Sequence, residues 1–218
     1  IMKLDYISQK SSQNPNKAIV FIHGWSGNKV SFLPLVKSLK IKNVEWFLPE
    51  APYAIDKSQD KRSWTYKKEN GIWEIQEPME MMRLFFDTII FNKYSSKDVF
   101  VIGFSQGASV CYEYIMGVDK PLGGIFPIGG FLWKDSKKLK RVSLSNKNTP
   151  ILIGHGINDD VIPIEKSEIA YNQLLSIPDI FINFLEPSFI VKNNLKLCLI
   201  LARKNFCVPT CIFPLKEA

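Results

Sequence analysis

The sequence predicts an α/β fold, a mostly parallel sheet with helices on both faces. Three observations carry that prediction. Six short runs rich in Val, Ile and Phe recur along the 218 residues, their middles almost wholly apolar, as strands covered on both faces require. Segments with apolar residues at helical spacing lie between several of them. Chemically informative residues fall just after the runs, at the carboxyl ends of strands where sites in parallel sheets form.

Taken in order, the strand runs are "AIVFIH" (Ala18–His23), "VEWFLP" (Val44–Pro49), "DVFVIGF" (Asp98–Phe104), "GGIFPIG" (Gly123–Gly129), "PILIGHG" (Pro150–Gly156) and "DIFINFLE" (Asp179–Glu186). Gly, Pro or Asp borders many of them. "EPMEMMRLFFDTIIF" places Met82, Phe85, Phe86, Ile89 and Ile90 on one helical stripe. "IPIEKSEIAYNQLLS" repeats the pattern with Ile164, Ile169, Leu174 and Leu175, and "QGASVCYEYIM" predicts a helix directly after the third run. The length suits one well-buried core, so residues 1–218 are expected to form a single domain.

Composition excludes several classes. Hydrophobic residues at 46% and charged ones at 22% are ordinary globular usage, which argues against disorder or a fibrous repeat. The segment "IMKLDYISQKSSQNPNK" lacks the apolar stretch of about 7 to 15 residues found in a secretory signal, so a cytoplasmic protein is expected. The apolar run "LCLILA" is too short to span a membrane, and no stable membrane insertion is expected. Cys111, Cys198, Cys207 and Cys211 form no CxxC pair and no zinc-type cluster, and read as reduced, buried thiols. The formal charge of +7 is local: residues 134–147 carry +5, residues 192–218 carry +4, and the remainder carries −2. Without interleaved aromatics, the run "KDSKKLKRVSLSNK" reads as a solvated loop, and no nucleic-acid partner is expected.

Gly103-Phe104-Ser105-Gln106-Gly107 fits G-x-S-x-G in the required context of a strand before and a helix after. Small neighbours let the chain turn sharply enough to present the serine hydroxyl, and the helix amino end offers N–H groups to a developing oxyanion. The alternative is a glycine-flanked turn without chemistry. A second oxyanion donor is expected from the loop "FIHGWSGNKVSF", with the Trp25 N–H as the candidate beside the Gln106 N–H.

These stretches together resemble the phospholipase/carboxylesterase family of α/β-hydrolases, the group that includes acyl-protein thioesterases. The resemblance runs through "HGWSGN", "LPEAP", "RSW", "GFSQGA", "GGF" and "HGINDDVIP", in the family's order, over roughly residues 18–186. It implies Ser105 as nucleophile and Asp159 as triad acid, with a turn or helix-capping role as the alternative for Asp159 and an equal capping claim for Asp160. Trp64 and Phe131, with Trp25 and Trp73, are expected to wall an apolar acyl pocket; core coverage is the alternative. The implied activity is hydrolysis of small acyl esters or thioesters, with no cofactor and no metal. A homodimer is compatible with the resemblance.

The family's general base is a histidine after the last strand. Here the residues after "DIFINFLE" contain none, and the chain has only His23 and His155. Both stand at positions that the resemblance marks as structural. The match stops abruptly at Glu186, as a mis-joined or out-of-frame tail would make it do. The alternatives are a divergent base or a catalytically impaired or inactive homologue with a binding or scaffold role.

Overall fold

The computed structural model describes residues 3–57, 60–133, 142–156, 158–178, 180 and 182–185. Seven strands form one sheet among them: β1 (Tyr6–Lys10), β2 (Lys17–Ile22), β3 (Val44–Pro49), β4 (Val99–Phe104), β5 (Gly124–Ile128), β6 (Ile151–Gly154) and β7 (Ile182–Leu185). Their spatial order is β1-β3-β2-β4-β5-β6-β7. β1 pairs antiparallel with β3, and every other neighbouring pair is parallel. The helices are α1 (Leu33–Leu39), α2 (Gln76–Phe85), α3 (Gln106–Glu113) and α4 (Glu165–Leu175).

The two-residue period of a strand divides the apolar runs between two cores. Ala18, Val20 and Ile22 of β2 join Val101, Ile125 and Ile153 in a core with Met82, Val110 and Leu174. Ile19 and Phe21 face the other way, with Trp46, Ile102 and Phe126, against Val36 of α1. All six predicted runs contain a strand, and the α/β prediction holds.

Three details differ from expectation. β1, "YISQK", has no apolar run, because an edge strand leaves half its side chains in water. The long apolar stripe stays helical but changes pitch, passing from α2 into a π-helical turn at Phe86–Ile90. On α4, Ile169 and Leu175, assigned to the buried stripe by sequence, are 48% and 51% exposed; the buried face is Ser167, Ala170 and Leu174. Leu174 is buried as the stripe requires, but the other two are small or polar, so hydrophobicity places only part of this helix's buried face.

The basic run also needs correction in part. Residues 134–141 lie outside the described residues, but the rest is not a simple solvated loop. Asn146 is buried and donates to the Val118 carbonyl at 2.6 Å, while its Oδ1 accepts from the Leu122 N–H at 3.1 Å. It pins the connection that leads into β5.

Candidate active site

Parallel β2, β4, β5 and β6 end on one edge of the sheet, and the loops after them build the site. β4 ends at Phe104 and α3 begins at Gln106, so Ser105 alone makes the turn. Its backbone sits at φ 53° and ψ −117°, a region that side-chain-bearing residues rarely adopt. The turn is held by the Ser105 N–H on the Ile128 carbonyl at 2.8 Å, and by the Ser105 carbonyl accepting from Ala108 and Ser109. The side chain makes no capping bond to the helix, which leaves the hydroxyl available.

The flanking glycines are required by space. A Cβ at Gly107 would lie 2.2 Å from the Ile22 carbonyl oxygen, and one at Gly103 would lie 2.3 Å from the Gly107 oxygen. Helix α3 therefore crosses the end of β2 at backbone contact distance. Seven of its eight residues, Gln106 to Tyr112, are buried.

The loop after β2 reaches the same place: a Cβ at Gly24 would lie 3.1 Å from the Ser105 Cβ. Gly27 N–H closes a turn on the Gly24 carbonyl at 3.1 Å, and Ser26 takes positive φ. Within that turn the Trp25 N–H has no hydrogen-bond partner among the described residues. The Gln106 N–H, at the first position of α3, has no intrahelical acceptor. Among the described residues, neither candidate oxyanion donor has a hydrogen-bond acceptor.

Asp159 lies on the loop after β6. Its Oδ1 accepts from the N–H groups of Val161 and Ile162 at 3.0 and 2.9 Å, closing a local turn. Its Oδ2 lies toward Gly129, where an added Cβ would stand 3.7 Å away, and Gly129 follows the residue that Ser105 bonds. One carboxylate oxygen thus builds the turn that the structural alternative names, while the other faces the Gly129 bend. Asp160 does not cap α4, whose first residue is Glu165 and whose N-cap position is Ile164.

Neither histidine is free to act on Ser105. His155 is fully buried, with Nδ1 2.6 Å from the Ser167 hydroxyl and Nε2 2.7 Å from the Ile162 carbonyl. A carbonyl only accepts, so Nε2 carries hydrogen. The same nitrogen stands 3.6 Å from Asp159 Oδ2, so the acid and this histidine are neighbours at a distance too long for a hydrogen bond. His23 is buried as well: its Nδ1 donates to the Gly24 carbonyl at 2.7 Å, and its Nε2 accepts from the Ala51 N–H at 3.1 Å.

Burial pulls the His23 pKa down to about 4, against a partial upward pull from the Gly24 hydrogen bond. The unfolded chain, with its histidine at 6.5, therefore binds the extra proton between the two values. The neutral ring's contribution is complete above pH 6.5 and is lost as pH falls to about 4, a change of about 3 kcal/mol. Urea unfolding of wild type and His23→Gln should show the wild-type advantage shrinking over that window, and a constant difference would contradict this assignment.

The aromatic wall expected around the site divides. Trp64 is 0% exposed, its Nε1–H bonded to the His23 carbonyl at 2.9 Å. It supports the loop after β2 and does not line an open pocket, which corrects the sequence expectation. Phe131 is half-buried against the core, its carbonyl accepting from Ser109 Oγ at 2.6 Å. Trp25 and Trp73 are 60% and 46% exposed, so neither covers the core. Phe104, 42% exposed and adjacent to Ser105, was missed as a candidate; its place inside the G-x-S-x-G pattern is the signal that could have found it.

Among the described residues there is no His/Cys/Asp/Glu group able to hold a metal ion, and no helix long and apolar enough to cross a membrane. Cys111 is a free, buried thiol, and the other three cysteines lie outside the described residues.

A parallel sheet with a strained serine between β4 and α3, a facing glycine loop after β2 and an acid after β6 defines an α/β-hydrolase. The sequence profile of the phospholipase/carboxylesterase family matches residues 6–179. The chain belongs to that family. It is 28% identical over 180 residues to an acyl-protein thioesterase 1 of Kluyveromyces lactis, covering 75% of this chain and 79% of the relative. It is 26% identical over 166 residues to a rice protein named "probable inactive carboxylesterase", covering 69% and 68% respectively. The solved structure of esterase PE8 superposes with a TM-score of 0.75 at 19% identity, covering 94% of this chain and 100% of that one, which supports the fold.

Proposed function

We propose that the protein is a serine carboxylesterase or thioesterase acting on small acyl substrates. In this scheme Ser105 Oγ attacks the acyl carbonyl carbon and gives its proton to a general base. The Trp25 and Gln106 N–H groups hold the oxyanion. The alcohol or thiol leaves with a proton, and water then hydrolyses the acyl-enzyme. Asp159 is assigned as the acid that orients the base. The observation that carries this reading is the Ser105 turn, whose strained backbone and uncapped hydroxyl suit a nucleophile.

The base belongs after β7, where relatives of this fold carry their histidine. Residues 186–218 lie outside the described residues and contain no histidine as written. A histidine codon recovered in another reading frame just past Glu186 would complete the triad. The second reading, an impaired homologue with a binding role, is favoured by one observation: both histidines have their ring nitrogens engaged elsewhere.

Hydrolysis of p-nitrophenyl acetate, butyrate and octanoate, with an acyl thioester alongside, separates the two. The esterase reading expects turnover in the ordinary enzymatic range of roughly 1 to 10³ per second on at least one substrate. Turnover no better than about 10³ to 10⁴ times the uncatalysed rate on every substrate supports the impaired homologue.

A further inference from the structure

The segment Arg62–Thr65 lies across the back of both candidate oxyanion donors. It meets the loop after β2 through the Ser26 N–H on the Arg62 carbonyl at 2.9 Å, and the Arg62 N–H on the Gly27 carbonyl at 3.0 Å. The Trp64 indole adds its bond to the His23 carbonyl at 2.9 Å. The two backbone bonds fall just after Trp25 and the indole bond falls before it, so the three together bracket the residue whose N–H is one of the candidate donors.

On its other side the same segment is tied to α3 by the Gln106 side chain. Gln106 Nε2 donates to Ser63 Oγ at 3.0 Å and to Thr65 Oγ1 at 3.1 Å, while its Oε1 accepts from the Trp64 N–H at 2.9 Å. The Trp64 N–H is a donor only, so it fixes which end of the carboxamide is oxygen. Gln106 is buried and uses both amide hydrogens and its oxygen on three consecutive residues. Its own backbone N–H is the other candidate donor.

We infer that the Gln106 carboxamide is a positioning residue: through the strap Arg62–Thr65 it fixes the separation of the Trp25 and Gln106 N–H groups. Its catalytic consequence rests on the esterase reading proposed above; the mechanical coupling does not. Oxyanion donors act only when held at about 2.7 to 3.1 Å from the developing charge, so a loosened strap costs turnover more than ground-state binding.

Gln106→Met keeps the backbone N–H and the side-chain length and removes the carboxamide. Amide hydrogen exchange, read at single residues by NMR, should accelerate about tenfold or more at Ser26 and Arg62 while Val101 in β4 stays unchanged. For p-nitrophenyl acetate, kcat should fall roughly 10²-fold with KM within about twofold. The double variant Ser63→Ala/Thr65→Val attacks the same tie from the strap side and should match that kcat loss. Adding Gln106→Met to it should cost nothing further, since one interaction has already been removed. Unchanged exchange at Ser26 and Arg62 overturns the coupling. Accelerated exchange with unchanged kcat, or a loss confined to KM, overturns the positioning role. If wild type turns over no substrate while exchange still accelerates in both variants, the coupling stands and the esterase reading fails.

Discussion

Replacing Ser105 by Ala should reduce ester turnover to the level left by oxyanion donors and binding alone, roughly 10³ to 10⁴ times the uncatalysed rate. The substitution removes one oxygen and keeps a Cβ. Alanine at φ 53° is strained as serine is, so the folded state gains no relief and loses no capping bond. Thermal unfolding should therefore be unchanged within about 0.5 kcal/mol, and the loss of rate can be assigned to chemistry. Burst kinetics with p-nitrophenyl butyrate give the check, since an acyl-enzyme releases its first equivalent of nitrophenol before steady state. Wild type should show the burst and Ser105→Ala should not. Equal steady-state rates in both proteins would assign the residual hydrolysis to the oxyanion site without a nucleophile.

Gly107→Ala should destabilise the fold by about 3 kcal/mol, the upper end of overpacking costs. The added methyl would meet the Ile22 oxygen at 2.2 Å and the His23 oxygen at 2.8 Å. Both contacts are backbone, one at the last residue of β2 and one directly after it, inside the sheet, so no side chain can swing aside to relieve them. Relief requires α3 to lift from the sheet, which also displaces Ser105. Gly156→Ala is the control, because its nearest contact is the Asp159 Cβ at 4.0 Å. Urea unfolding should show a lower midpoint with unchanged slope for Gly107→Ala, and a near wild-type midpoint for Gly156→Ala.

Much of this architecture is legible in the sequence because strands buried on both faces leave long apolar runs. Ser105 is legible because a five-residue pattern stands between a strand and a helix. What the sequence hides is relational. β1 is polar and marginal until it is laid against Glu45–Pro49 of β3. The buried face of α4 is built from Ser167 and Ala170, whose small side chains carry little hydrophobic signal. Trp64 sits in a loop, where aromatic composition cannot say whether the ring faces substrate or core. The Gln106 tie spans 43 and 41 residues to Ser63 and Thr65, a separation at which no local pattern survives. The commitment of both histidines is likewise visible only as distances, although their number and the histidine-free tail are plain from composition.

The assignment of Ser105 as nucleophile, with neither histidine as its base, is tested most directly by mass spectrometry after exposure to a fluorophosphonate. One adduct should form, on the peptide that contains Ser105, in wild type, in folded His23→Gln and in folded His155→Gln at comparable rates. Folded wild-type protein that takes up no label at Ser105, or labelling that disappears in either folded histidine variant, would contradict it.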